Sequence, residues 1–368
     1  MMELSLPLPD LPAPNPSLRL RARGSATAPA GRFEPYARVW DHDGWDIAED
    51  EKLLRTEVSI ERPRSVITRN QSPDVPFERS LNPYRGCEHG CAYCFARPSH
   101  GYLGLSAGLD FETRIVARPD AAEVLERELR RKAYTVAPLA IGTNTDPYQP
   151  LEARMGIMRR ILQVLSDFNH PLMLTTRGAT VLRDLDLLSD MAGRGLLQVG
   201  ISLTTLDATL ARKMEPRAPA PQTRIRMIRD LARAGIPVRV MAAPMIPGLT
   251  DHELEAILTE ARRAGARAAA IIPLRLPNEV AALFEDWLRR EVPGRADKVL
   301  KAVAAMRGGQ LNDPRFGSRM QGEGVEADLL HRRFEVSCRR LGLDRRMPEL
   351  DCRRFSPPPA AGDQLSLF

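Results

Sequence analysis

The chain has 368 residues, of which 43% are hydrophobic and 27% are charged, and its formal net charge is +6 with a pI near 9.3. This length is enough for one large α/β domain with tails, or for two domains. No stretch approaches the roughly 20 apolar residues of a membrane helix, and prolines interrupt the amino-terminal region where a signal peptide would have its apolar core. We therefore expect a cytoplasmic protein without membrane contact.

The positive charge has two interpretations. It suits DNA or another nucleic acid as a partner. However, only five of the 53 basic residues are lysine, and this arginine enrichment is typical of any protein from a GC-rich genome. No dense basic run decides between the two.

The chain order predicts four regions. Residues 1–60 are expected to be mostly disordered or loosely packed, because Pro, Ala and Arg dominate their start without periodicity. Residues 61–277 are predicted to be an α/β core and residues 278–355 a helical carboxy-terminal extension. Residues 356–368 are predicted to be a flexible tail.

The core begins with a loop of three cysteines, Cys87, Cys91 and Cys94, in the spacing C-x3-C-x2-C. Iron–sulfur clusters are normally held by four thiolates, so three thiolates would leave one iron of a [4Fe-4S] cluster open to a substrate or cofactor. Structural zinc, which usually has paired knuckles, and disulfides, which need an oxidising compartment, are the alternatives.

After this loop, apolar stretches with strand and helix character alternate at a spacing near 30 residues. Counting one strand before the cysteines, they give about six units, too few for the closed eight-stranded barrel. We predict a partial (β/α)6 barrel, with an open doubly wound sheet as the alternative; in either fold the site lies at the carboxyl ends of the strands. The predicted helices are 119–133, 152–168, 179–193, 221–234 and one begun by Thr250 as a capping residue, and the predicted strands are 138–143, 171–176, 196–203, 236–243 and 266–274.

The carboxy-terminal extension contains three further helical stretches, and we expect it to cover the open side of the barrel. These stretches are residues 281–290, 295–306 and 325–341.

From about Asn82 to Pro277 the chain resembles the radical S-adenosylmethionine (radical SAM) superfamily, because a three-cysteine loop follows the first strand of a six-unit barrel. The resemblance implies a [4Fe-4S] cluster on Cys87, Cys91 and Cys94, with S-adenosylmethionine on the open iron. The reduced cluster would cleave S-adenosylmethionine to a 5′-deoxyadenosyl radical. An electron donor such as flavodoxin or ferredoxin is implied as a partner.

The resemblance also implies cofactor contacts at the strand ends. Tyr93 would flank the adenine, and the loop of Gly142, Asn144 and Asp146 would receive the methionine amino group. Arg217 would clamp the carboxylate in bidentate fashion. The remaining implied contacts are Thr176 and Arg177 after the third strand, Ser202 and Thr204 after the fourth, and the backbone around Ile246 after the fifth. Helix capping and chain turning are the structural alternatives for these residues.

The motifs Asn82-Pro-Tyr-Arg-Gly-Cys87, Cys91-Ala-Tyr-Cys-Phe-Ala-Arg97 and Thr145-Asp-Pro-Tyr-Gln-Pro-Leu-Glu152 resemble the branch related to spore photoproduct lyase, the DNA repair photolyase-like branch. That lyase returns a hydrogen atom from a cysteine beside the second strand's tip. Here residues 141–150 contain no cysteine, and Phe95 stands where a tyrosine is expected. Cys338 and Cys352 lie far along the chain and are interpreted as structural or incidental thiols, the alternative being that one of them reaches the site.

Four tyrosines, Tyr84, Tyr93, Tyr102 and Tyr148, lie in or near these motifs. They are surfaces able to stack on adenine or on a base, and core packing is the alternative. A nucleic-acid base is favoured slightly as the substrate.

Gln364-Leu365-Ser366-Leu367-Phe368 resembles the pentapeptide by which bacterial replication and repair proteins bind the sliding clamp. Leu367 and Phe368 would enter an apolar pocket, and Gln364 would hydrogen-bond at its rim. Leu365 is also predicted to bind the partner. The alternative is a tail that packs on its own domain.

The leading hypothesis is a radical SAM enzyme, lyase-like or of another radical chemistry, that acts on a nucleic acid in DNA repair. One alternative keeps the radical chemistry and makes the substrate a protein, a tRNA or a small molecule. The other is a clamp-associated binding protein with a structural or redox-sensing cluster.

Overall fold

The computed structural model describes residues 23–27, 29, 33 and 55–359 of the chain. Predictions for residues 1–22 and for Gln364 to Phe368 lie outside the described residues. The described strands are β1 (Glu57–Ile60), β2 (Thr68–Arg69), β3 (Arg79–Leu81), β4 (Tyr84–Arg85), β5 (Arg114–Ala117), β6 (Leu139–Ile141), β7 (Leu172–Thr176), β8 (Leu197–Ser202), β9 (Val238–Met245) and β10 (Ala268–Pro273).

The main sheet has the strand order β10-β9-β8-β7-β6-β3-β2. Strands β3, β6, β7, β8, β9 and β10 are parallel, whereas β2 is antiparallel to β3. Within the described residues, β2 and β10 are edges that do not pair with each other, so the sheet stays open. The predicted partial (β/α)6 barrel is confirmed.

The helices alternate with these strands and continue beyond them. They are α1 (Leu109–Thr113), α2 (Ala121–Leu129), α3 (Glu152–Met155), α4 (Ile157–Asp167), α5 (Leu185–Gly193), α6 (Ala208–Met214), α7 (Pro221–Arg233), α8 (Leu254–Ala264), α9 (Val280–Glu291), α10 (Ala296–Ala305), α11 (Ser318–Gln321) and α12 (Val325–Leu341). Among the described residues, no helix is both long and apolar enough to span a bilayer.

One layer of helices covers one face of the sheet. Along β7, Leu172 and Leu174 are buried in the core shared with these helices, whereas Met173 and Thr175 are half-buried on the opposite face. Neighbouring helices contact each other in the series α2, α4, α5 and the series α7, α8, α12. A doubly wound sheet would need helices on both faces, so the barrel describes this fold and the alternative does not.

Two predicted helices are each divided in the structure. Gly156 has a φ of +61°, which ends α3 and begins α4. The side chain of Glu152 then accepts hydrogen bonds from the backbone N–H groups of Ile157 and Met158, the first two residues of α4. A carboxylate stabilises a helix at this position because those N–H groups have no partner within the helix. Likewise, residues 179–193 form a 3-10 helix, Ala179–Asp184, followed by α5.

The prediction that the Thr250 side chain caps a helix is wrong. Its hydroxyl accepts a hydrogen bond from the Ile246 N–H at 3.0 Å, and a 3-10 helix, Asp251–Glu253, precedes the start of α8 at Leu254. The hydroxyl therefore closes the turn after β9 instead of capping α8.

A second, smaller sheet has the order β1-β5-β4. Strand β1 pairs parallel to β5, so residues 57–60 of the predicted loose amino-terminal region belong to a sheet. Strand β4 pairs antiparallel to β5 and leads directly into the cysteine loop. This sheet therefore fixes the point from which that loop departs.

The carboxy-terminal extension packs on the last βα units and then crosses the end of the barrel where the strands begin. Helix α12 contacts α8 and β10. Beyond it, Asp344 bridges to Ala268 at the start of β10, the Asp351 N–H donates to the Gly195 carbonyl just before β8, and the Ser356 N–H donates to the Phe168 carbonyl before β7. We call residues 342–359 the strap.

The strap covers a buried histidine before β7. Phe355 lies edge-on to His170 with ring centroids 5.6 Å apart. Nδ1 of His170 lies 3.0 Å from the Pro171 carbonyl, which can only accept, so Nδ1 carries the proton and Nε2 accepts from the Tyr134 hydroxyl at 2.7 Å. Burial lowers the pKa of His170 to about 4. The fold therefore needs this imidazole to be neutral.

We expect acid to destabilise the protein through His170. Because its pKa is about 4 when folded and near 6.5 when unfolded, the unfolded chain takes up the proton first as the pH falls. This one group lowers the free energy of unfolding by about 1.4 kcal/mol per pH unit between those two values. Above this window its effect is absent.

The measurement is urea unfolding of His170→Gln and wild type across that pH range. The variant should be less stable at neutral pH but flatter in its pH dependence. His252→Gln, which changes an exposed histidine, should keep the wild-type slope. Equal slopes for wild type and His170→Gln would contradict the assignment.

Candidate active site

The cysteine loop lies between β4 and a 3-10 helix, Arg97–Leu103, and two glycines set its path. Gly86 and Gly90 have φ values of +79° and +67°, a region that glycine enters without steric cost. A Cβ at Gly86 would lie 2.8 Å from Cε1 of His100 and 2.9 Å from the Phe111 carbonyl oxygen. Larger residues would therefore displace the loop from the structure beneath it.

The tip after β6 holds the loop backbone from one side. The Thr145 hydroxyl donates to the Gly86 carbonyl at 2.6 Å, and the Gln149 side chain accepts from the Glu88 N–H at 2.9 Å. From another side, the Ala92 N–H donates to the Met214 carbonyl at the end of α6. Two separate parts of the fold, the tip after β6 and the end of α6, therefore help to determine where the thiols lie.

A fully buried ion pair lies behind the loop. The Arg97 guanidinium donates through Nε and Nη2 to the Cys91 carbonyl, and Nη2 also lies 2.5 Å from Glu112 Oε1. Both side chains are 0% exposed. The Glu112 carboxylate also accepts from the N–H groups of Gly24 and Ser25, so a short amino-terminal segment is bound to the same site.

The three loop thiols are close enough to affect one another. Burial raises the pKa of Cys87, and the charges of Asp146, Cys91 and Cys94 add to this effect. Burial also raises the pKa of Cys91 to about 12, although the nearby Arg177 opposes the shift. Free thiols here resist ionisation, so bound iron is what would favour their thiolate form.

The donor set fits an iron–sulfur cluster. Within the described part of the chain, no three His, Cys, Asp or Glu side chains converge as ligands of one metal ion. A cluster differs from a single ion because each thiolate binds its own iron. Three neighbouring soft ligands in a buried, glycine-shaped loop suit that larger group.

A charged network contacts Cys91 from the ends of β7 and α6. Nη1 of Arg177 lies 2.9 Å from the Cys91 Sγ, 2.9 Å from the Tyr93 hydroxyl and 2.6 Å from Glu215 Oε1. Tyr93 donates to Glu215, and Arg224 of α7 pairs with the other Glu215 oxygen. Burial alone would raise the pKa of Glu215, but Arg224 and Arg177 lower it to about 2.

A second carboxylate, Asp146, organises the tip after β6. It accepts from the Thr176 hydroxyl at 2.5 Å and from the Arg177 N–H at 2.9 Å, and His89 Nδ1 lies 3.4 Å away. Burial opposes ionisation, but His89 and these hydrogen bonds lower the pKa of Asp146 to about 2. The anion therefore ties β6, β7 and the cysteine loop together.

Other predicted residues lie around the same opening. Gly142 has a φ of +94°, and a Cβ there would lie 2.0 Å from the Thr175 carbonyl oxygen. The side-chain amide of Asn144 donates a hydrogen bond to the Ser99 hydroxyl and not to a thiol. Ser202 is buried at the end of β8, and Thr204 Oγ1 lies 3.1 Å from the Tyr93 hydroxyl.

Two predicted cofactor residues are engaged elsewhere. Nη1 of Arg217 donates to Glu88 at 2.9 Å and to Thr56 at 3.3 Å, so Arg177, and not Arg217, contacts a loop thiol. The Ile246 N–H donates to Thr250, and its carbonyl accepts three backbone N–H groups within the same turn. Its backbone is thus occupied, while its side chain packs in the apolar cluster that contains Tyr93.

The sequence pattern of the radical SAM superfamily matches residues 81–261. These residues form a radical SAM domain.

An uncharacterized protein of Mycobacterium bovis is 39% identical over 221 residues, which cover 60% of this chain and 65% of that protein. The chain thus spans just under two thirds of that relative's length. The radical SAM Nalpha-GlyT isomerase of Pseudomonas phage M6 is 25% identical over 173 residues, 46% of this chain and 34% of that enzyme.

A solved structure of a spore photoproduct lyase variant with bound AdoMet and dinucleoside spore photoproduct has a TM-score of 0.57 to this chain. The match is 15% identical and covers 77% of this chain and 78% of that one. The radical SAM domain and its surroundings therefore share the fold of that lyase.

Within the radical SAM domain, two tyrosines are not the stacking surfaces that the sequence predicted. Tyr84 and Tyr148 are 0% and 1% exposed. Their hydroxyls donate to the buried carboxylates of Glu152 and Asp184. Each needs such a partner because a buried hydroxyl without one is costly, so both stabilise the core. Tyr93 lies within the cysteine loop and is 4% exposed, whereas Tyr102 is exposed beside Phe33.

The two cysteines outside the loop lie away from it. Cys338 is buried in α12 within the main core. Cys352 lies in the strap, at the start of the 3-10 helix Cys352–Arg354. Sequence reasoning missed Glu215 and Arg224. The position of Arg224 on the apolar face of α7 could have indicated a buried arginine. The sequence offered little indication for Glu215, because the helix before it, α6, was not predicted.

We expect the Arg97–Glu112 pair to be essential for stability. Glu112→Gln leaves a buried guanidinium without its counter-charge, which should lower the free energy of unfolding by about 3–5 kcal/mol. Urea unfolding of the metal-free protein measures this effect. The control is Glu123→Gln, because Glu123 pairs with Arg160 on the surface and should change stability by about 1 kcal/mol or less. A similar decrease in the free energy of unfolding in both variants would show that the buried pair stabilises the protein no more than a surface pair does.

Proposed function

We propose that this protein is a radical SAM enzyme that binds a [4Fe-4S] cluster through Cys87, Cys91 and Cys94 and S-adenosylmethionine at the open iron. The observation that carries the proposal is the three-thiol loop, with Arg177 directly on Cys91, inside a radical SAM domain. When bound and reduced by a donor such as flavodoxin or ferredoxin, the cluster supplies a 5′-deoxyadenosyl radical from S-adenosylmethionine.

The residues around the loop have separate tasks in this proposal. Arg177 offers a cation beside Cys91 for the methionine carboxylate, taking the role that the sequence gave to Arg217. The backbone after β6, from Gly142 to Asp146, receives the amino group, and Tyr93 lies against the adenine. Its hydroxyl is fixed by Glu215 and Thr204, so the ring has one orientation when the cofactor arrives.

We further propose that the substrate is a nucleic acid, as in DNA repair. The support is twofold: the net charge of +6, and the lyase fold, whose solved structure holds a dinucleoside. A protein, tRNA or small-molecule substrate is the alternative. The closing step would differ from the lyase's, because the tip after β6 contains no cysteine.

The first test is anaerobic cleavage of S-adenosylmethionine under a strong reductant. Reconstituted wild type should form 5′-deoxyadenosine, whereas Cys91→Ala should lose iron and form none above background. The control, Cys352→Ala, changes a cysteine of the strap and should keep iron content and product formation. Damaged DNA should stimulate the wild type. An iron-loaded wild type that forms no product would contradict the proposal.

We also propose that Gln364, Leu365, Leu367 and Phe368 bind a bacterial sliding clamp. The strap ends beside α2, where Arg130 donates to the Pro358 carbonyl, on the side of the barrel opposite the thiols. A tail leaving there would reach a partner without covering the site.

The peptide covering residues 361–368 should bind the clamp saturably, because its two apolar anchors fill one pocket. Substitution of Leu367→Ala or Phe368→Ala should abolish binding, and Ser366→Ala should not. Fluorescence anisotropy of labelled peptide measures this. Absent binding, or binding that both substitutions leave intact, would contradict the docking proposal but not the enzyme proposal.

A further inference from the structure

Two exposed phenylalanines, one of them immediately after the cysteine loop, each have an arginine guanidinium over one face of the ring. Phe95, immediately after Cys94, is 47% exposed, and the Arg275 guanidinium lies 4.8 Å from its ring centroid. Phe316 is 59% exposed, and the Arg319 guanidinium lies 4.7 Å from its ring. We call these four residues the aromatic-arginine surface. Nothing in the proposed binding of S-adenosylmethionine uses them.

Contacts within the fold hold the two halves of this surface together. Arg307 donates to the Pro273 and Leu274 carbonyls at the end of β10, and also to the Ser318 and Arg319 carbonyls of α11. Helix α11 is thereby fixed against the strand end that carries Arg275. The surface is therefore a preformed part of the barrel opening.

The loop after β2 joins the same surface from the other edge of the sheet. Its Asp74 accepts two hydrogen bonds from the Arg319 guanidinium at 2.6 Å each and one from the Gly317 N–H. The surface consequently spans the gap between the edge strands β2 and β10.

Arg275 differs from Arg319 in its partners. Within the described part of the chain, Arg275 has neither a hydrogen bond nor an ion pair, and the nearby Asp74 is already paired with Arg319. Burial and repulsion by Arg319 lower the pKa of the Arg275 guanidinium. A half-buried cation beside a second cation favours an anionic ligand.

We propose that the aromatic-arginine surface binds a single-stranded nucleic-acid segment, with a phosphate on Arg275 and bases on the open faces of Phe95 and Phe316. This inference rests on the proposed nucleic-acid substrate and names how it is held. Exposed aromatic rings interleaved with arginines are the chemistry that recognises stacked bases and phosphates together. The ring of Phe95 directly follows a loop cysteine, so a base stacked there is beside the thiols, as chemistry on a base removed from its duplex requires.

The first experiment measures binding of a fluorescein-labelled oligothymidylate to the full-length, cluster-loaded protein at several KCl concentrations. Arg275→Gln should weaken binding about tenfold and reduce the slope of log affinity against log salt by about one, because one phosphate contact is lost. Arg226→Gln is the matched control, since it removes one charge from the exposed face of α7. It should leave affinity at constant salt nearly unchanged.

The second variant, Phe316→Ala, tests stacking without changing charge. It should weaken binding about tenfold while keeping the salt slope of the wild type. Leu329→Ala, which removes an equally exposed apolar side chain from α12, should have no effect. Thermal unfolding and iron content should match the wild type in all four variants, because each substituted side chain is exposed or unpaired.

Binding and S-adenosylmethionine cleavage are measured separately, so their failures can be distinguished. A wild type that binds no oligonucleotide, or Arg275→Gln and Phe316→Ala proteins that bind like wild type, would overturn the surface while leaving the cleavage result intact. Loss of binding in both variants would support the surface even if the wild type cleaved no S-adenosylmethionine. In that case only the enzyme proposal would fail.

Discussion

Behind the cysteine loop, the Arg97 guanidinium and the Glu112 carboxylate meet where neither touches solvent. Removing two charges from water costs several kcal/mol for each ion, and the attraction compensates only when the remaining donors and acceptors are also satisfied. Both groups have such partners here. The Arg97 guanidinium donates to the Cys91 carbonyl, and the Glu112 carboxylate accepts from the N–H groups of Gly24 and Ser25. The position of Cys91 is thus coupled to a chain segment more than sixty residues earlier.

The same constraint explains the charges in front of the loop. Thiols buried this deeply resist ionisation, so thiolate ligands need positive charge nearby. Arg177 and Arg224 carry two positive charges against the one negative charge of Glu215, and Arg177 contacts Cys91 directly. Asp146 is a second anion beside Arg177, so the feature that favours a thiolate is the direct contact of Arg177 with Cys91. Glu215 keeps both arginines in place and orients Tyr93, so one carboxylate serves the ligand loop and the expected adenine site together.

Local pattern was enough to predict much of this architecture. Apolar runs of strand length separated by amphipathic stretches gave the parallel strands, and the cysteine spacing located the loop. The errors arose where a distant side chain decides the local structure. Glu152 caps α4 from outside that helix, and Thr250 closes a turn onto Ile246 instead of beginning a helix.

In the site, too, local pattern predicted some residues correctly and missed those whose role depends on distant side chains. The predicted Asp146, Thr176 and Arg177 meet because neighbouring parallel strands end at one edge, which the strand order implies. By contrast, Glu215 follows a helix that the sequence did not predict, and its role depends on arginines from two other elements. Tyr84 and Tyr148 were misinterpreted because a motif position does not show whether a ring faces solvent or a buried carboxylate.

The cysteines outside the loop lie far from the end of the barrel that carries the loop thiols. All five cysteines are described, and the two outside the loop lie in α12 and in the strap. The strap contacts the residues before β7 and β8, so Cys352 is on the side where strands begin, whereas the thiols of the loop are on the side where they end. A thiol of this chain is therefore not positioned to return a hydrogen atom to a product bound at Phe95. In the proposed reaction we therefore expect the hydrogen atom to come from a source other than Cys338 or Cys352, because one is buried in the main core and the other lies in the strap.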